Sequence, residues 1–439
     1  MNIALSMNTV RLLFCFLAMV PMNLSAQRKK PQVLIYGYGA DAYAAALQAS
    51  LSNLNTVWVV NGDKIVPELT SEMMSTDAPN GLDGGVWAYL LAKTLRRDTP
   101  ADSLSAVARK RINPRIVQNV VDSVLKSREN LTVIEEGQLR SVKKSGKDWQ
   151  VELVDRKRFK VRALVDASKD AYLYQMAGRD LDSIAARTVV PDDYFGSPAY
   201  GDLYRTGVAV GEREGQGYTL PLGTLIPPDD SNLFLTQRMP VVQHLLTGSD
   251  RDIPLLMHVG QAVGAAAAYV AFFKTTSDKI DVREVQGELL KYGARLMPFG
   301  DVPIERPDFL ALQRAGAAGV FKGRKGDDGR VYFDPDKPAT ANEIKPILNK
   351  LFSRSQIWFV DHPDVDTLTL ADVFSYIKFV GQRGNELEGH VQKNWKRRFH
   401  FEDEYDEHRI ATRRYVAVLL DAYCGPFSVK TGLDGTIQR

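Results

Sequence analysis

The stretch VLIYGYGADAYAAALQASL, residues 33 to 51, limits the fold of this chain more than any other. Its apolar opening reads as a buried strand, two glycines break it, and the alanine-rich remainder has the composition of a helix. Gly37, Gly39 and Ala42 fit the spacing G-x-G-x-x-G/A at the join. In that context the first glycine makes the turn and the second lets a backbone approach a pyrophosphate. The third small residue lets helix and sheet pack. The helix start adds free N–H groups and a partial positive charge. On this spacing alone, a dinucleotide seat and a plain glycine turn both stay open.

A dinucleotide seat also calls for an acid about 20 residues on, at the end of the second strand, to accept from the ribose hydroxyls. Here TVWVV ends in Asn61, which can accept one bond and donate another but brings no charge.

Strands continue to alternate with helical stretches, which argues for a parallel sheet. Helical patterns cover 85–97 and 114–127, followed by the strand LTVIEEG, a hairpin formed by QLRSVKKSG and KDWQVELV, and the buried-strand run VRALVDAS at 161–168. After Gly178 the chain is rich in loops and proline. Order returns at NLFLTQR and in the long helix MHVGQAVGAAAAYVAFFK, whose small residues at 260, 262, 264 and 265–268 let it pack closely.

At 439 residues the chain exceeds one ordinary core, and with 44% hydrophobic and 25% charged residues it has a globular composition. Met1 to Ala26 holds a single arginine, the apolar run LLFCFLAMV and then LSA before QRKK, the pattern of a signal peptide. The run is shorter than the ~20 residues that span a bilayer. No later run approaches that length, so no membrane span is expected after cleavage. With 56 basic against 53 acidic side chains, bulk charge does not equip the chain for nucleic acid. Loss of Cys15 with the signal leaves Cys424 alone, which excludes an internal disulfide. Export to the periplasm, cell surface or medium is expected.

Several separated segments together resemble the FAD-dependent oxidoreductases of the glutathione-reductase-like fold, in particular an exported bacterial branch. The glycine turn is similar to their phosphate-binding turn. VRALVDASKDAYLYQMAG at 161–178 looks like their later strand and loop, ending Asp-Ala-Thr/Ser-Gly-Asp. GYTLPLGTLIPPDDSNLFLTQR at 217–238 looks like the stretch that ends in Gly-Arg, and HVGQAVGAAAAY resembles the helix facing the flavin. The resemblance implies an α/β fold with a Rossmann-like parallel sheet binding FAD or NAD(P), an inserted β-rich domain and a helical C-terminal module. It implies FAD as cofactor and Gly37, Gly39, Ala42, Asn61, Asp166, Asp170, Arg238, Gly260 and Gly264 as the residues that hold it. The expected divisions are 27–178 with 258–298, an insert at 179–257, and 299–439.

The departures fall where that cofactor would lie. Lys169 stands at a glycine position of the later loop, Gln237 at the glycine before Arg238, and Asn61 at the ribose acid. Asp41 adds negative charge beside the pyrophosphate place, although an aspartate there is also an ordinary helix-start residue. Two functions therefore stand: a flavin-dependent oxidoreductase acting on a small-molecule or sugar-derived substrate, or a pseudoenzyme that binds or scaffolds at the cell surface. No catalytic residue is assigned, because flavin would carry the redox chemistry.

Residues 307–352 resemble an S-layer homology repeat, with Thr340 and Glu343 forming a T-x-x-E capping box and a poorer second copy split between 367–379 and 410–427. Such repeats imply cell-wall polysaccharide as a partner; a helical appendage that only packs on the main domain is the alternative. HFEDEYDEH at 400–408 matches no metal spacing and reads as a solvated, salt-bridged helix, and no metal site is expected. His258 is open to a structural or a site role. No Ser-His-Asp order or Cys-x-x-Cys supports another chemistry.

Overall fold

The computed structural model describes residues 30–76, 82–185, 201–227 and 232–438. The expected signal segment and the loop around Pro191 and Pro198 lie outside them. Val33–Gly37 (β1), Ala40–Leu51 (α1) and Thr56–Val59 (β2) form a strand–helix–strand unit in which β1 and β2 pair in parallel. Every residue of β1 and β2 is buried, and so is every residue of α1 except Leu51, because the helix lies between the sheet and a second helix. Its alanines are therefore packing residues.

The short helix Pro67–Thr70 (α2) and Gly85–Thr94 (α3) lead to Pro114–Lys126 (α4), which starts where Asn113 Oδ1 accepts from the Arg115 N–H at 3.0 Å. Proline at its first position loses no helical hydrogen bond. Leu131–Ile134 (β3) pairs with β2. Leu139–Ser145 (β4), Asp148–Leu153 (β5) and Arg158–Val161 (β6) then form a separate antiparallel sheet, the expected hairpin with a third strand added. Ala163–Ala167 (β7) returns to the main sheet beside β1.

Gly207–Arg213 (β8) and Gln216–Pro221 (β9) form a hairpin, and Leu233–Leu235 (β10) pairs with β7. The main sheet is thus five parallel strands in the order β10-β7-β1-β2-β3, the expected α/β class. It draws β10 from within the stretch 179–257 that the sequence assigns to an insert.

Ile253–Phe272 (α5) packs along α1. A Cβ at Gly260 would stand 2.1 Å from the Asp41 carbonyl oxygen, and one at Gly264 would stand 2.5 Å from that of Ala45. Both glycines let two helix backbones meet. Contrary to the sequence expectation, α5 is long and apolar enough to cross a membrane, yet 89% of its apolar window is buried inside the protein. It is followed by Val282–Lys291 (α6), capped by Asp281.

The C-terminal part holds three helix–loop–helix units: Phe309–Ala318 (α7) with Ala341–Leu351 (α8), Ser355–Asp361 (α9) with Leu370–Val380 (α10), and Glu386–Asn394 (α11) with Arg413–Tyr423 (α12). Threonine precedes the second helix of each: Thr340, Thr369 and Thr412. One residue earlier, three backbone bonds close a ring. The Ala339 N–H donates to Ala411 O at 2.9 Å, Ala411 to Leu368 O at 2.7 Å, and Leu368 to Ala339 O at 3.0 Å. The segments read as one split second copy are therefore two units of a three-membered ring.

Two local expectations change. Thr340 makes no side-chain cap; the capping box belongs to Thr369 and Asp372, while Glu343 is taken by Arg413. Residues 400–408 are a loop, tied down by ion pairs such as Arg409–Asp403 at 2.9 Å. Among the described residues no group of metal-ligating side chains occurs.

Candidate functional site

The carboxyl end of β1, beside the end of β7, is where an open parallel sheet receives a ligand. Gly37 and Gly39 both have positive φ, +130° and +107°. A Cβ on Gly37 would lie 2.5 Å from the Ala167 carbonyl carbon, so this glycine is what allows β1 and β7 to stay together as the chain turns. The Trp58 indole N–H donates to the Gly37 carbonyl at 2.9 Å and fixes the turn from beneath. Ala42 is fully buried in the first turn of α1.

Gly39 should expose its N–H and bare face to a phosphate. Instead the N–H donates to Ile65 O at 2.9 Å, and the Glu68 carboxylate covers the face: a Cβ on Gly39 would lie 2.6 Å from Glu68 Oε1. Gly62 rests against the Tyr38 ring, where a Cβ would come within 2.7 Å. Residues 62–68 therefore lie over the turn. Burial raises the Glu68 pKa, while its own N–H, the Lys169 ammonium and the Ala40 N–H act to keep it charged.

A second acid stands beside it. Asp41 is fully buried in the first turn of α1; its Oδ2 accepts from the Thr236 hydroxyl and from the Gln237 amide at 3.1 Å, and its Oδ1 has no partner. Burial pushes Asp41 up to about 7; the Thr236 bond opposes this and the charge of Glu68 adds to it. Gln237, at a position where the sequence reading expects glycine, thus answers Asp41.

The remaining expected residues divide. The Asp166 carboxylate accepts from Ser168 N at 2.9 Å, Ser168 Oγ at 2.6 Å and Tyr174 N at 2.7 Å, and burial pushes it up to about 6. It is spent on shaping the loop after β7. Asn61, Asp170 and Arg238 are exposed, and burial raises the Tyr36 pKa while the nearby Asn61 side chain acts to lower it. Gly260 and Gly264, expected at the cofactor, are occupied in the α1–α5 contact. Gly37, Gly39, Ala42 and Asn61 do gather at one sheet end.

His258 lies within α5, its Nδ1 2.9 Å from Val210 O and its Nε2 without a hydrogen-bond partner. Burial lowers its pKa, so the ring is neutral near pH 7. Close by, the start of α3 is capped by Gln261, whose Oε1 accepts from the Val86 N–H at 3.0 Å. Asp83 holds the Trp87 indole at 2.7 Å and pairs with Arg109 at 3.2 Å. Sequence reading missed Glu68, Thr236, Asp83 and Gln261. Only Glu68 had a local signal, an acid just after Pro67 at a helix start.

A family model described as FAD dependent oxidoreductase matches residues 32–183 and 201–289, more than half of the chain. The chain belongs to the FAD-dependent oxidoreductase family. No curated protein matches it. Among solved structures, bacillithiol disulfide reductase Bdr (YpdA) from Staphylococcus aureus is 16% identical over 32% of this chain and 38% of its own, with a TM-score of 0.21. The p-nitrophenol 4-monooxygenase PnpA from Pseudomonas putida DLL-E4 is 12% identical over 34% of this chain and 43% of its own, with a TM-score of 0.24. The chain spans about two fifths of the length of those proteins.

FAD is the cofactor the family implies, and its pyrophosphate would need the N–H groups at the start of α1. In the arrangement described, Gly39 has given its N–H to Ile65 and Glu68 fills the face, so the group does not fit while residues 62–68 stay in place.

Proposed function

We propose that this chain is an exported member of its family that acts as an FAD-dependent oxidoreductase on a small-molecule or sugar-derived substrate, with a partly degenerate cofactor site. The observation that carries the reading is the glycine turn with positive φ at Gly37 and Gly39, kept at the carboxyl end of β1. The test is an absorbance spectrum of purified residues 27–439 before and after incubation with excess FAD and gel filtration. Flavin bands that stay with the protein support the reading, and a clean apoprotein spectrum after both steps rejects it.

A second reading, a non-catalytic binding or scaffold protein of the cell surface, is favoured by the closure of that turn by Ile65 and Glu68. It also draws on the C-terminal ring, which we take as S-layer-homology-like and a candidate for cell-wall polysaccharide. A surface hollow there is lined by Arg306, Lys396, His400, Phe401, Glu402 and Arg414, a mixed polar and aromatic surface of the kind sugars meet, with Arg306 and Arg414 paired to Asp308 and Lys396 to Glu404. Co-sedimentation of the whole chain with purified wall polysaccharide tests this; equal sedimentation of a Lys396→Glu, Arg306→Glu variant counts against that hollow.

A further inference from the structure

Glycine at the second position of a phosphate-binding turn serves to let a ligand come against bare backbone. In this chain something has come against it, and it is the protein. Glu68 Oε1 lies 2.6 Å from the place a Gly39 Cβ would occupy. The Lys169 charge and the Ala40 backbone at the helix start both act to lower the pKa of the Glu68 carboxylate, whose Oε2 is buried without a hydrogen-bond partner. The Gly39 N–H is closed by Ile65 O at 2.9 Å from the same segment. Asp41 Oδ1, fully buried, lies 3.4 Å from that Cβ position; burial first and the Glu68 charge with it push Asp41 up to about 7, so below that pH this second acid is neutral and does not oppose an anion.

We infer that Glu68 is an internal stand-in for phosphate: its carboxylate fills the anion seat of the glycine turn, and a diphosphate-bearing ligand enters only when the segment carrying Ile65 and Glu68 lifts away. The inference rests on reading the turn as the seat of a dinucleotide and adds what controls entry to it. A diphosphate and the carboxylate compete for the same place against Gly39, so removing the carboxylate raises affinity without a new contact being made. Lys169 then becomes available to the ligand, which gives its long side chain at a glycine position a use.

The test compares wild type, Glu68→Gln and Glu68→Ala, titrated with inorganic pyrophosphate, ADP and FAD by calorimetry at about pH 6 and low salt, where Asp41 is neutral. Glu68→Ala is expected to bind pyrophosphate and ADP at least tenfold more tightly than wild type. Glu68→Gln, which keeps an acceptor oxygen and loses the charge, falls between them. Lys169→Ala added to Glu68→Ala abolishes most of the gain. Equal affinities in all three proteins, or no pyrophosphate binding by any of them, overturn the inference.

A ligand-free readout stands beside it. The Ala40 amide is expected to be protected from hydrogen exchange in wild type, exposed in Glu68→Ala and protected again by pyrophosphate; unchanged protection in Glu68→Ala overturns the inference. The two readings fail differently. Pyrophosphate and ADP binding to Glu68→Ala without FAD binding upholds the seat and rejects the flavin function. Tight FAD binding by wild type with no gain in the variants upholds the function and rejects the role of Glu68.

Discussion

The Gln237 side-chain amide donates to Asp41 Oδ2 at 3.1 Å, which ties the loop after β10 to the first turn of α1. Two residues that look like separate defects in a nucleotide site are one contact in the fold. Gln237 stands where the sequence reading expects a glycine and Asp41 where it expects no acid, and each gives the other a partner.

Asp41 makes stability depend on pH. Burial raises its folded pKa from 3.8 to about 7, so the folded state holds a proton that the unfolded chain has lost. Its contribution is undiminished below about pH 4 and is lost as pH rises through 7. Asp41→Asn keeps the shape and removes the titration. At pH 8 it should be more stable than wild type by a few kcal/mol, at about 1.4 kcal/mol per pKa unit, with no such gain at pH 4. Urea melts of both proteins at the two pH values read the difference, and a constant difference across pH would refute it.

Two glycine substitutions should act in opposite directions. Gly260→Ala puts a Cβ 2.1 Å from the Asp41 carbonyl oxygen, against backbone that cannot rotate away. A loss of about 3 kcal/mol or more is expected, at the upper end of overpacking costs. Gly287→Ala on α6 meets nothing within 4 Å and should gain about 0.5–1 kcal/mol from helix propensity. Denaturant midpoints of the two variants, measured side by side, check both signs.

Arg413 joins the first and third units of the C-terminal ring. Its Nε donates to Glu343 Oε2 at 3.2 Å and its Nη1 to the Phe333 carbonyl at 2.5 Å, with the guanidinium almost fully buried. Arg413→Met leaves the quarter-exposed Glu343 and the Phe333 carbonyl without their partner and should cost about 1.5–3 kcal/mol, the usual loss of a hydrogen bond to a charged group. Adding Glu343→Leu should restore part of it. A double variant that is worse than Arg413→Met alone would show that the pair is not the unit of stability.

Burial pushes the Cys424 thiol up to about 12. At pH 8 it is a neutral thiol, and the thiolate is the reactive form. The native protein without residues 1–26 should give no colour with a disulfide reagent over minutes and one equivalent once unfolded. Rapid reaction of the native protein would show that the site is open.

The sequence was most informative where local pattern and packing agree. The β1–α1–β2 unit could be read because VLIY, the two glycines and the alanine run each have one good use. The β4–β5 hairpin could be read from its alternation about Gly146. Gly260 and Gly264 are read both as packing residues and as ligand contacts, because close helix packing and close ligand approach call for the same residue. Glu68 was hidden for a different reason. Its meaning depends on where residues 62–68 fold, and no period or spacing in that stretch points back to Gly39. The three-membered ring was obscured by the charged stretch before Ile410, whose composition fixes exposure but not secondary structure.

The ring of Ala339, Leu368 and Ala411 is closed, and closure has a consequence for length. An open stack of repeats can gain or lose a member and keep its remaining interfaces. Here each unit donates to one neighbour and accepts from the other, so deleting one leaves a donor and an acceptor facing nothing. The module therefore comes whole or not at all: a chain cut after Val380 does not keep two thirds of it, and an inserted fourth unit has no place to join.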